Sequence, residues 1–416
     1  MFAAGLTCLA ARATFRGMDE IFTGSFTQQE PIPEAAIGAA EAVLRSGRLH
    51  RYNLAGGEAG EVSLLEEEFA AFTGARYCLA VASGGYAMQC ALRALGVGPG
   101  DRVLSNAFTL APVPGAIAAV GARAVFVGVT DALTIDLEDL AAKLPGASAL
   151  LLSHMRGHIC DMDALMALAD AAGVPVIEDC AHTMGAHWRG VPSGRHGRIA
   201  CYSTQTYKHI NSGEGGLVTA DDTEIMARAV LTSGSYMLYD RHRAAPPPEV
   251  FEGLRYEVPN ISGRMDHLRA AVLRPQLAAL PGRVAAWGER YRAVEAGLAG
   301  VPGLALIPRP PEESFVGSSF QFRLPGWSTG SVARVVARCK ARGVELKWFG
   351  APEPAGFTSV YGHWRYAEPE PLPSSDAVLA GLLDMRIPLT FSLDDCATIA
   401  RIIADEVRRE AVLAAE

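Results

Sequence analysis

The sequence lacks the features of several protein classes. No apolar run among its 416 residues reaches the roughly 18 residues that a membrane-spanning helix needs. Basic residues are not in excess, since 37 Lys and Arg stand against 45 Asp and Glu for a net charge of −8. Such a balance argues against a nucleic-acid-binding protein, which normally carries a basic face. Internal repeats and low-complexity segments are also missing.

The cysteines lack the spacing of a disulfide framework or a zinc site. None forms a C-x-x-C pair, and most lie within apolar, strand-like runs. This pattern predicts reduced thiols that serve as small core residues in a cytoplasmic protein, with no metal site. The cysteines are Cys8, Cys78, Cys90, Cys160, Cys180, Cys201, Cys339 and Cys396.

The N-terminal segment, residues 1–16, contains arginine and no acidic residue, as targeting peptides do. Its apolar stretch is short, however, and Arg12 interrupts it. We therefore favour an upstream start codon ahead of Met18, or a frayed terminus, over a targeting peptide. Residues 1–30 are expected to form an N-terminal extension.

Short apolar runs alternate with helical stretches between about residues 77 and 219. Strands buried on both faces and separated by helices indicate parallel crossovers. Gly173 is a stop signal for the helix predicted at 161–172. The sequence therefore predicts a doubly wound α/β domain with at least five parallel strands. The runs are 77–82, 102–106, 123–129, 149–154, 174–179, 200–205 and 216–220.

A second, smaller domain is expected after about residue 285. Residues 241–259 contain three consecutive prolines and are interpreted as a surface excursion, either a mobile loop over a site or a subunit contact. Residues 264–300 read as a long helix interrupted at Pro281–Gly282. We predict a large α/β domain over 31–285 and a small α+β domain over 286–416. The small domain has candidate strands at 320–325 and 344–350 and candidate helices at 331–342 and 393–413.

Ligands of such sheets bind beyond the carboxyl ends of the strands, so the residues there are candidates for a site. Ser83-Gly84-Gly85-Tyr86 follows the first run and opens an apolar helix. The free N–H groups of such a turn can cradle a phosphate, although glycines also occur there for steric reasons alone.

Other strand ends carry further chemistry. Phe108 follows the second run and either stacks on a flat ring or packs in the core. Glu178 and Asp179 end a run of buried aliphatic residues and require cations or hydrogen-bond donors. Lys208 lies in a loop of small polar residues between two strands. Pyridoxal phosphate needs a phosphate cradle, an acid at its ring nitrogen, a stacking group and a lysine, and the sequence offers all four.

Beyond these features the sequence resembles the DegT/StrS group of fold-type-I pyridoxal-phosphate enzymes, the nucleotide-sugar aminotransferases. The resemblance runs from about residue 30 to the C-terminus and is most specific across 174–216. The matching stretches are ASGGYAMQCAL, NAFTLAPVPGAIAAVGARAVFV, LLLSHMRGHICDMDAL, VIEDCAHTMGA, CYSTQTYKHINSGEGG and SGRMDHLRAAVLRPQL.

The resemblance implies a role for individual residues. Lys208 matches the Schiff-base lysine and general acid/base, Asp179 the partner of the pyridinium nitrogen, and His182 the group beside the ring hydroxyl. Phe108 matches the stacking aromatic and Ser203 a phosphate-binding serine. The implied catalytic residues are Lys208, Asp179 and His182. The implied cofactor-binding residues are Ser83, Gly84, Gly85, Tyr86, Phe108, Asp179, His182, Ser203, Gln205, Lys208, Asn260 and Ser262.

Two positions depart from the family pattern. Gly85 stands where the family usually has a threonine, so one hydroxyl contact to phosphate is lost. The Asn of the family's Asn-x-Arg-Met reaches the partner subunit's phosphate, and either Ser262 or Asn260 matches it, depending on a two-residue insertion. The resemblance thus implies a homodimer with shared active sites.

The implied activity is transfer of an amino group from an amino acid, glutamate or glutamine, to a keto substrate. The acceptor would be a ketosugar or nucleotide-linked ketosugar of secondary-metabolite or cell-surface sugar biosynthesis. Two alternatives remain open: a pyridoxal-phosphate enzyme of this fold that performs elimination or aldol-type chemistry, and a non-catalytic regulatory protein that binds the cofactor.

Further polar residues have an open role. His154, Arg156 and His158 follow a strand end, and at least two of the three are expected to be structural. Arg323 and Arg386 either grip a donor carboxylate or form surface or interdomain pairs. The acidic run Glu66–Glu68 is interpreted as the solvated face of a helix.

Overall fold

The computed structural model describes residues 20–413, so the interpretation of residues 1–16 and Met18 lies outside the described part. The strands are β1 (Tyr77–Val81), β2 (Arg102–Asn106), β3 (Arg123–Val127), β4 (Ala149–Ser153), β5 (Val176–Asp179), β6 (His187–Trp188), β7 (Val191–Pro192), β8 (Ile199–Ser203), β9 (Gly216–Ala220), β10 (Ala305–Leu306), β11 (Glu313–Ser314), β12 (Ser319–Arg323), β13 (Lys347–Trp348) and β14 (Leu382–Arg386). The α-helices are α1 (Glu34–Ser46), α2 (Glu61–Thr73), α3 (Gly84–Ala94), α4 (Pro112–Ala119), α5 (Leu137–Lys143), α6 (Met162–Ala172), α7 (Thr223–Ser233), α8 (Phe251–Leu254), α9 (His267–Leu298), α10 (Thr329–Ala341), α11 (Pro373–Ala380) and α12 (Leu393–Leu413).

A seven-stranded sheet in the order β1-β9-β8-β5-β4-β2-β3 forms the centre of the large domain. Neighbours from β8 through β5, β4 and β2 to β3 pair in parallel, whereas β9 runs antiparallel to both β8 and β1. The prediction of at least five parallel strands is therefore confirmed. Because both faces are covered by helices, β1, β4, β5, β8 and β9 are buried along their whole length.

The helices begin and end where side-chain chemistry favours it. The carboxylates of Asp136, Asp161 and Asp222 cap the N-termini of α5, α6 and α7, which satisfies amides that have no partner within the helix. Gly173 ends α6 as predicted, with a φ of 68° that suits glycine because it has no Cβ.

The small domain is built on a four-stranded antiparallel sheet in the order β10-β12-β14-β13. Its core also includes Phe22 and Phe26 of the predicted N-terminal extension. The Phe22 amide donates to the Arg342 carbonyl oxygen at 2.9 Å. The described part of the extension is thus packed onto the small domain.

The predicted interruption of the long helix at Pro281–Gly282 is wrong, because α9 continues through both residues. Its side chains up to Trp287 belong to the core on one face of the large sheet, and those from Tyr291 onward belong to the core of the small domain. The two domains therefore share one continuous helix.

The proline-rich excursion is anchored to the large domain. Phe251 is completely buried and its ring is stacked on Tyr239 with the centroids 4.3 Å apart. None of residues 241–259 lines the cavity described below. Residues 241–259 therefore do not form a loop over the cavity of their own chain in this structure.

Within residues 20–413, no helix is both long enough and apolar enough to cross a bilayer. The cysteines in this range are free thiols with buried side chains, in agreement with the prediction, and Cys8 lies outside it.

Candidate active site

A cavity of about 670 Å³ lies at the carboxyl edge of the large sheet. The strand ends form its floor, and residues 354–364 of the small-domain half of the chain form part of its wall. The residues predicted from the sequence that line it are Ser83, Gly84, Gly85, Asp179, His182, Ser203, Gln205 and Lys208.

The side chain of Lys208 is directed at His182 in this cavity, with Nζ and Nε2 2.8 Å apart. Burial, and after it the positive charge of Arg156, lowers the pKa of Lys208 to about 7. Burial and the neighbouring Lys208 hold the pKa of His182 well below its usual value. A neutral imidazole can accept a hydrogen bond from the Lys208 amine, so the pair holds that amine in one position.

Asp179 ends β5 on the floor of the cavity and is only 7% exposed. One carboxylate oxygen accepts from Ser153 Oγ at 2.9 Å, and the other accepts from the Ala181 amide at 3.1 Å. These two bonds orient the carboxylate of Asp179. Ser153 was missed in the sequence, although its position at the end of β4 was a usable signal.

The turn before α3 has the shape of an anion cradle. Ser83 is the N-cap and accepts from the Tyr86 amide at 3.1 Å, while Gly84 and Gly85 form the first turn. A Cβ at Gly84 would lie 2.9 Å from Cβ of Ser203, and one at Gly216 would lie 2.4 Å from the Ser83 carbonyl oxygen. Close packing therefore requires both glycines, and it places Ser203 beside the amides of the turn.

Four predicted residues do not line the cavity. Phe108 is 1% exposed and lies in the core with its ring edge-to-face against Phe349. Leu110, two residues later, lines the cavity. The assignment of Phe108 as the stacking group is thus corrected, because the backbone after β2 turns this side chain into the core. The other three are Tyr86, Asn260 and Ser262.

Tyr86, Asn260 and Ser262 lie to one side of the cradle. The Tyr86 hydroxyl donates to the Thr232 carbonyl oxygen at 3.1 Å. The Gly263 carbonyl oxygen accepts from the Ala82 amide at 2.8 Å, so the 260–264 segment runs beside the end of β1. None of the three residues lines the cavity of its own chain.

The second acid of the strand end, Glu178, is structural. Its carboxylate accepts from the amides of Gly194, His196 and Gly197 and contacts His154 Nε2 at 3.0 Å. His154, Glu178 and Cys180 form a buried group whose ligand-type atoms lie within 4.8 Å of one another. The hydrogen bonds to Glu178 already account for this arrangement.

Of the three polar residues after β4, only Arg156 lines the cavity. His158 Nε2 contacts Gln321 Oε1 at 2.9 Å, and His154 pairs with Glu178. This agrees with the prediction that at least two of the three are structural. Tyr207 and Phe357 also line the cavity and were missed, because adjacency to Lys208 and a position in the second domain do not by themselves indicate a site.

The fold, together with the partly buried lysine and the oriented carboxylate at the strand ends, is that of an aminotransferase. A crystal structure of 3-amino-5-hydroxybenzoic acid synthase superposes with a TM-score of 0.78 at 28% identity, covering 92% of this chain and 99% of that one. The profile of the DegT/DnrJ/EryC1/StrS aminotransferase family matches residues 32–404. The chain therefore belongs to that family.

Two of the relatives of this chain are named for different products. The chain is 32% identical over 370 residues to 3-amino-5-hydroxybenzoate synthase of Amycolatopsis mediterranei, covering 84% of this chain and 90% of the relative. It is 35% identical over 272 residues to dTDP-3-amino-3,4,6-trideoxy-alpha-D-glucose transaminase of Streptomyces venezuelae, covering 63% and 67%.

Proposed function

We propose that this protein is a pyridoxal-phosphate-dependent aminotransferase that moves an amino group from an amino acid, glutamate or glutamine, to a cyclic keto substrate. The observation that carries the proposal is the position of Lys208 and Asp179 in one buried cavity whose rim is an anion cradle. Membership in the aminotransferase family supports it.

The cavity lining fits pyridoxal phosphate. The first turn of α3 offers amides without partners in the helix, beside the Ser203 hydroxyl, for the phosphate. The oriented carboxylate of Asp179 suits a protonated ring nitrogen, and Leu110 offers an apolar contact. Lys208 supplies the amine. We propose that Ser83, Gly84, Gly85, Ser203 and Gln205 hold the phosphate end.

The chain's own groups account for the proton movement that transamination requires. When bound, pyridoxal phosphate supplies an aldehyde for amines and a ring that withdraws electrons from the substrate's carbon. The Lys208 amine has a pKa of about 7, so near neutral pH it can take a proton from that carbon and return one. His182 Nε2 lies 2.8 Å from Lys208 Nζ and, as a neutral imidazole, would accept a hydrogen bond that keeps the amine in place. The carboxylate of Asp179 would stabilise the protonated form of the ring nitrogen.

We further propose that the acceptor is a ring ketone, either a ketosugar, free or nucleotide-linked, or a related carbocycle. The two relatives named above are, by name, a synthase of an aromatic amine and a transaminase of an amino sugar, and in both products the amino group is attached to a ring. Biosynthesis of a secondary metabolite or a cell-surface sugar would use such a product.

Replacement of Lys208 tests this proposal. Borohydride reduction of the cofactor-loaded protein, followed by peptide mass mapping, should label Lys208. Lys208→Ala should retain the cofactor noncovalently and lower amine transfer from glutamate or glutamine at least about 100-fold. The matched control, Lys340→Ala on the exposed side of α10, should behave as wild type.

The outcomes also separate the alternatives. A label on Lys208 without amine transfer from either donor would favour elimination chemistry, aldol-type chemistry or a regulatory role. An unlabelled Lys208 would contradict the cofactor assignment itself.

We propose a homodimer in which Asn260 or Ser262 reaches the partner's phosphate site. The position of both residues beside the cradle but outside this chain's cavity supports this arrangement. The buried free thiols are compatible with a reducing compartment, and we propose a cytoplasmic location.

A further inference from the structure

The neighbouring strands β2 and β4 separate as they approach the cavity floor. Their backbones pair in parallel only through Val103 and Leu104 of β2 and Ala149 and Leu150 of β4. Ser153 ends β4 three residues after this pairing stops. Its backbone groups on the side of β2 therefore need partners other than the backbone of that strand.

The side chain of Asn106, at the end of β2, supplies these partners. Its Oδ1 accepts from the Ser153 amide at 2.9 Å, and its Nδ2 donates to the Ser153 carbonyl oxygen at 3.0 Å. The same Nδ2 donates to the Phe108 carbonyl oxygen at 2.7 Å. Asn106 is only 1% exposed, and an uncharged amide offers the two donors and the acceptor that this position uses. Asn106 therefore fixes the backbone of Ser153 relative to β2.

Ser153 in turn bonds to the carboxylate of Asp179. Its hydroxyl donates to Asp179 Oδ2 at 2.9 Å, and the two residues lie opposite each other where β4 pairs with β5. Both residues line the cavity, with exposed fractions of 5% and 7%. Asn106, Ser153 and Asp179 thus form a chain of hydrogen bonds across the ends of three strands.

The carboxylate of Asp179 needs two bonds to be held in one orientation. The Ala181 amide donates to its Oδ1 at 3.1 Å, and Ser153 bonds to the other oxygen. The terminal torsion of an aspartate side chain is broad, so a single bond would leave the carboxylate free to rotate. A hydrogen bond weakens steeply as its geometry departs from a straight line. The bond from Ser153 therefore determines how well the carboxylate can meet a donor in the cavity.

We propose that Asn106 is a positioning residue for amine transfer, which acts through Ser153 to align Asp179 with the ring nitrogen of pyridoxal phosphate. This inference rests on the proposed function and deepens it. Asn106 does not line the cavity, so its influence on the cofactor has to act through the residues to which it bonds. Of these, Ser153 is the one that contacts Asp179.

Two cofactors that differ at one ring atom test the proposal. 1-Deazapyridoxal phosphate carries a C–H group in place of the ring nitrogen and keeps the aldehyde and the phosphate. Fluorescence titration of the cofactor-free protein gives the Kd of each compound. The ratio of the two Kd values reports how well Asp179 meets the ring nitrogen. For the wild type we expect the deaza compound to bind roughly tenfold or more weakly, because it cannot form the charge-assisted hydrogen bond.

Removal of the Ser153 hydroxyl should reduce this discrimination. In Ser153→Ala we expect the ratio of Kd values to fall roughly threefold to tenfold, whereas Ser153→Thr, which keeps a hydroxyl, should stay within about twofold of wild type. Ser105→Ala is the matched control. Ser105 is a fully buried serine of β2, and its Oγ has no hydrogen-bond partner among the residues that the structure describes, so its ratio should equal that of wild type.

Asn106→Ala tests the route of the effect. It should lower the ratio about as much as Ser153→Ala does, and the double variant should show no further decrease, because both changes break the same connection. A general loss of stability would weaken binding of both compounds alike and would leave the ratio unchanged. The ratio therefore separates positioning of Asp179 from a purely structural role of Asn106.

A wild-type ratio in either Ser153→Ala or Asn106→Ala would overturn the proposal. Additive decreases in the double variant would overturn it as well, because Asn106 would then act by a route that bypasses Ser153. Borohydride labelling of Lys208 does not depend on the ring nitrogen. Failure of this inference is therefore distinguishable from failure of the aminotransferase assignment.

Discussion

At the scale of single residues, the chemistry of this protein depends on how Lys208 is surrounded. The sequence indicates a loop lysine, which is ordinarily solvated and charged. In the folded chain it is partly buried, the positive charges of Arg156, Arg386 and Lys347 lower its pKa, and the carboxylate of Asp179 opposes them. Burial and like charge both favour the neutral amine, which is the form that attacks an aldehyde or accepts a proton.

The pKa of Lys208 predicts a pH dependence of stability. It falls from 10.5 to about 7 on folding, so between these values the unfolded chain binds a proton that the folded chain does not. The free energy of unfolding of the cofactor-free protein should therefore rise with pH above about 7, by at most about 1.4 kcal/mol per pH unit from this group.

Denaturant unfolding of wild type and of Lys208→Met at pH 6 to 10 measures this contribution. The difference between the two proteins should change across that range, because the variant cannot titrate at this position. Parallel curves would show that the Lys208 amine keeps an ordinary pKa in the folded chain.

At the scale of elements, the structure requires glycine at the cradle turn but not within α9. Within α9, Pro281 and Gly282 disfavour a helix locally, yet packing of the buried face against both domains maintains it. At the cradle, Gly216 begins β9 directly against the carbonyl of Ser83. Glycine is thus unnecessary at position 282 and required at position 216.

Alanine at these two positions should have effects of opposite sign. Gly282 is exposed and a Cβ there would meet nothing within 4 Å, so Gly282→Ala should stabilise the protein by about 0.5–1 kcal/mol. Gly216→Ala should lower the Tm and weaken phosphate binding at the cradle, because the backbone contact has no flexible side chain to move. Thermal unfolding of both variants, with a phosphate titration, checks this pair; a tolerated Gly216→Ala would contradict the close-packing argument.

At the scale of the whole molecule, an exposed apolar surface lies beside the cradle. Tyr236, Met237 and Ile261 have exposed fractions of 56%, 53% and 40%, and Asn260 and Ser262 flank Ile261. Exposed apolar groups at such a site indicate association with another chain. This surface suits the proposed homodimer, in which each chain would complete the site of its partner.

A charge in the middle of this surface should weaken the dimer. Ile261→Asp should shift sedimentation toward the monomer and lower cofactor affinity together, because the 260–262 segment would no longer reach the partner. Ile21→Asp, which also replaces an exposed isoleucine, is the control. A wild-type protein that sediments as an active monomer would contradict the shared site.

The succession of strands along the chain, the parallel core, the end of α6 at Gly173, and the lysine, acid and glycine turn at the strand ends could all be predicted from the sequence. These features follow from local periodicity and from the rule that such sheets bind ligands at their carboxyl edge. Residue type and spacing were sufficient to predict these positions, because the acid, the glycine turn and the lysine each lie at or shortly after the end of a strand.

Which side chains of the strand ends enter the cavity and which enter the core could be seen only in the folded chain. Phe108 lies in the core, whereas Leu110 lines the cavity. The backbone bends after β2, and the sequence alone does not show which side chain such a bend directs into the cavity. Glu66, expected on a solvated helix face, is completely buried and paired with Arg51 at 2.9 Å. Arg156, which follows β4, and Arg386, which ends β14, line the same cavity only because the small domain is docked at the edge of the large sheet.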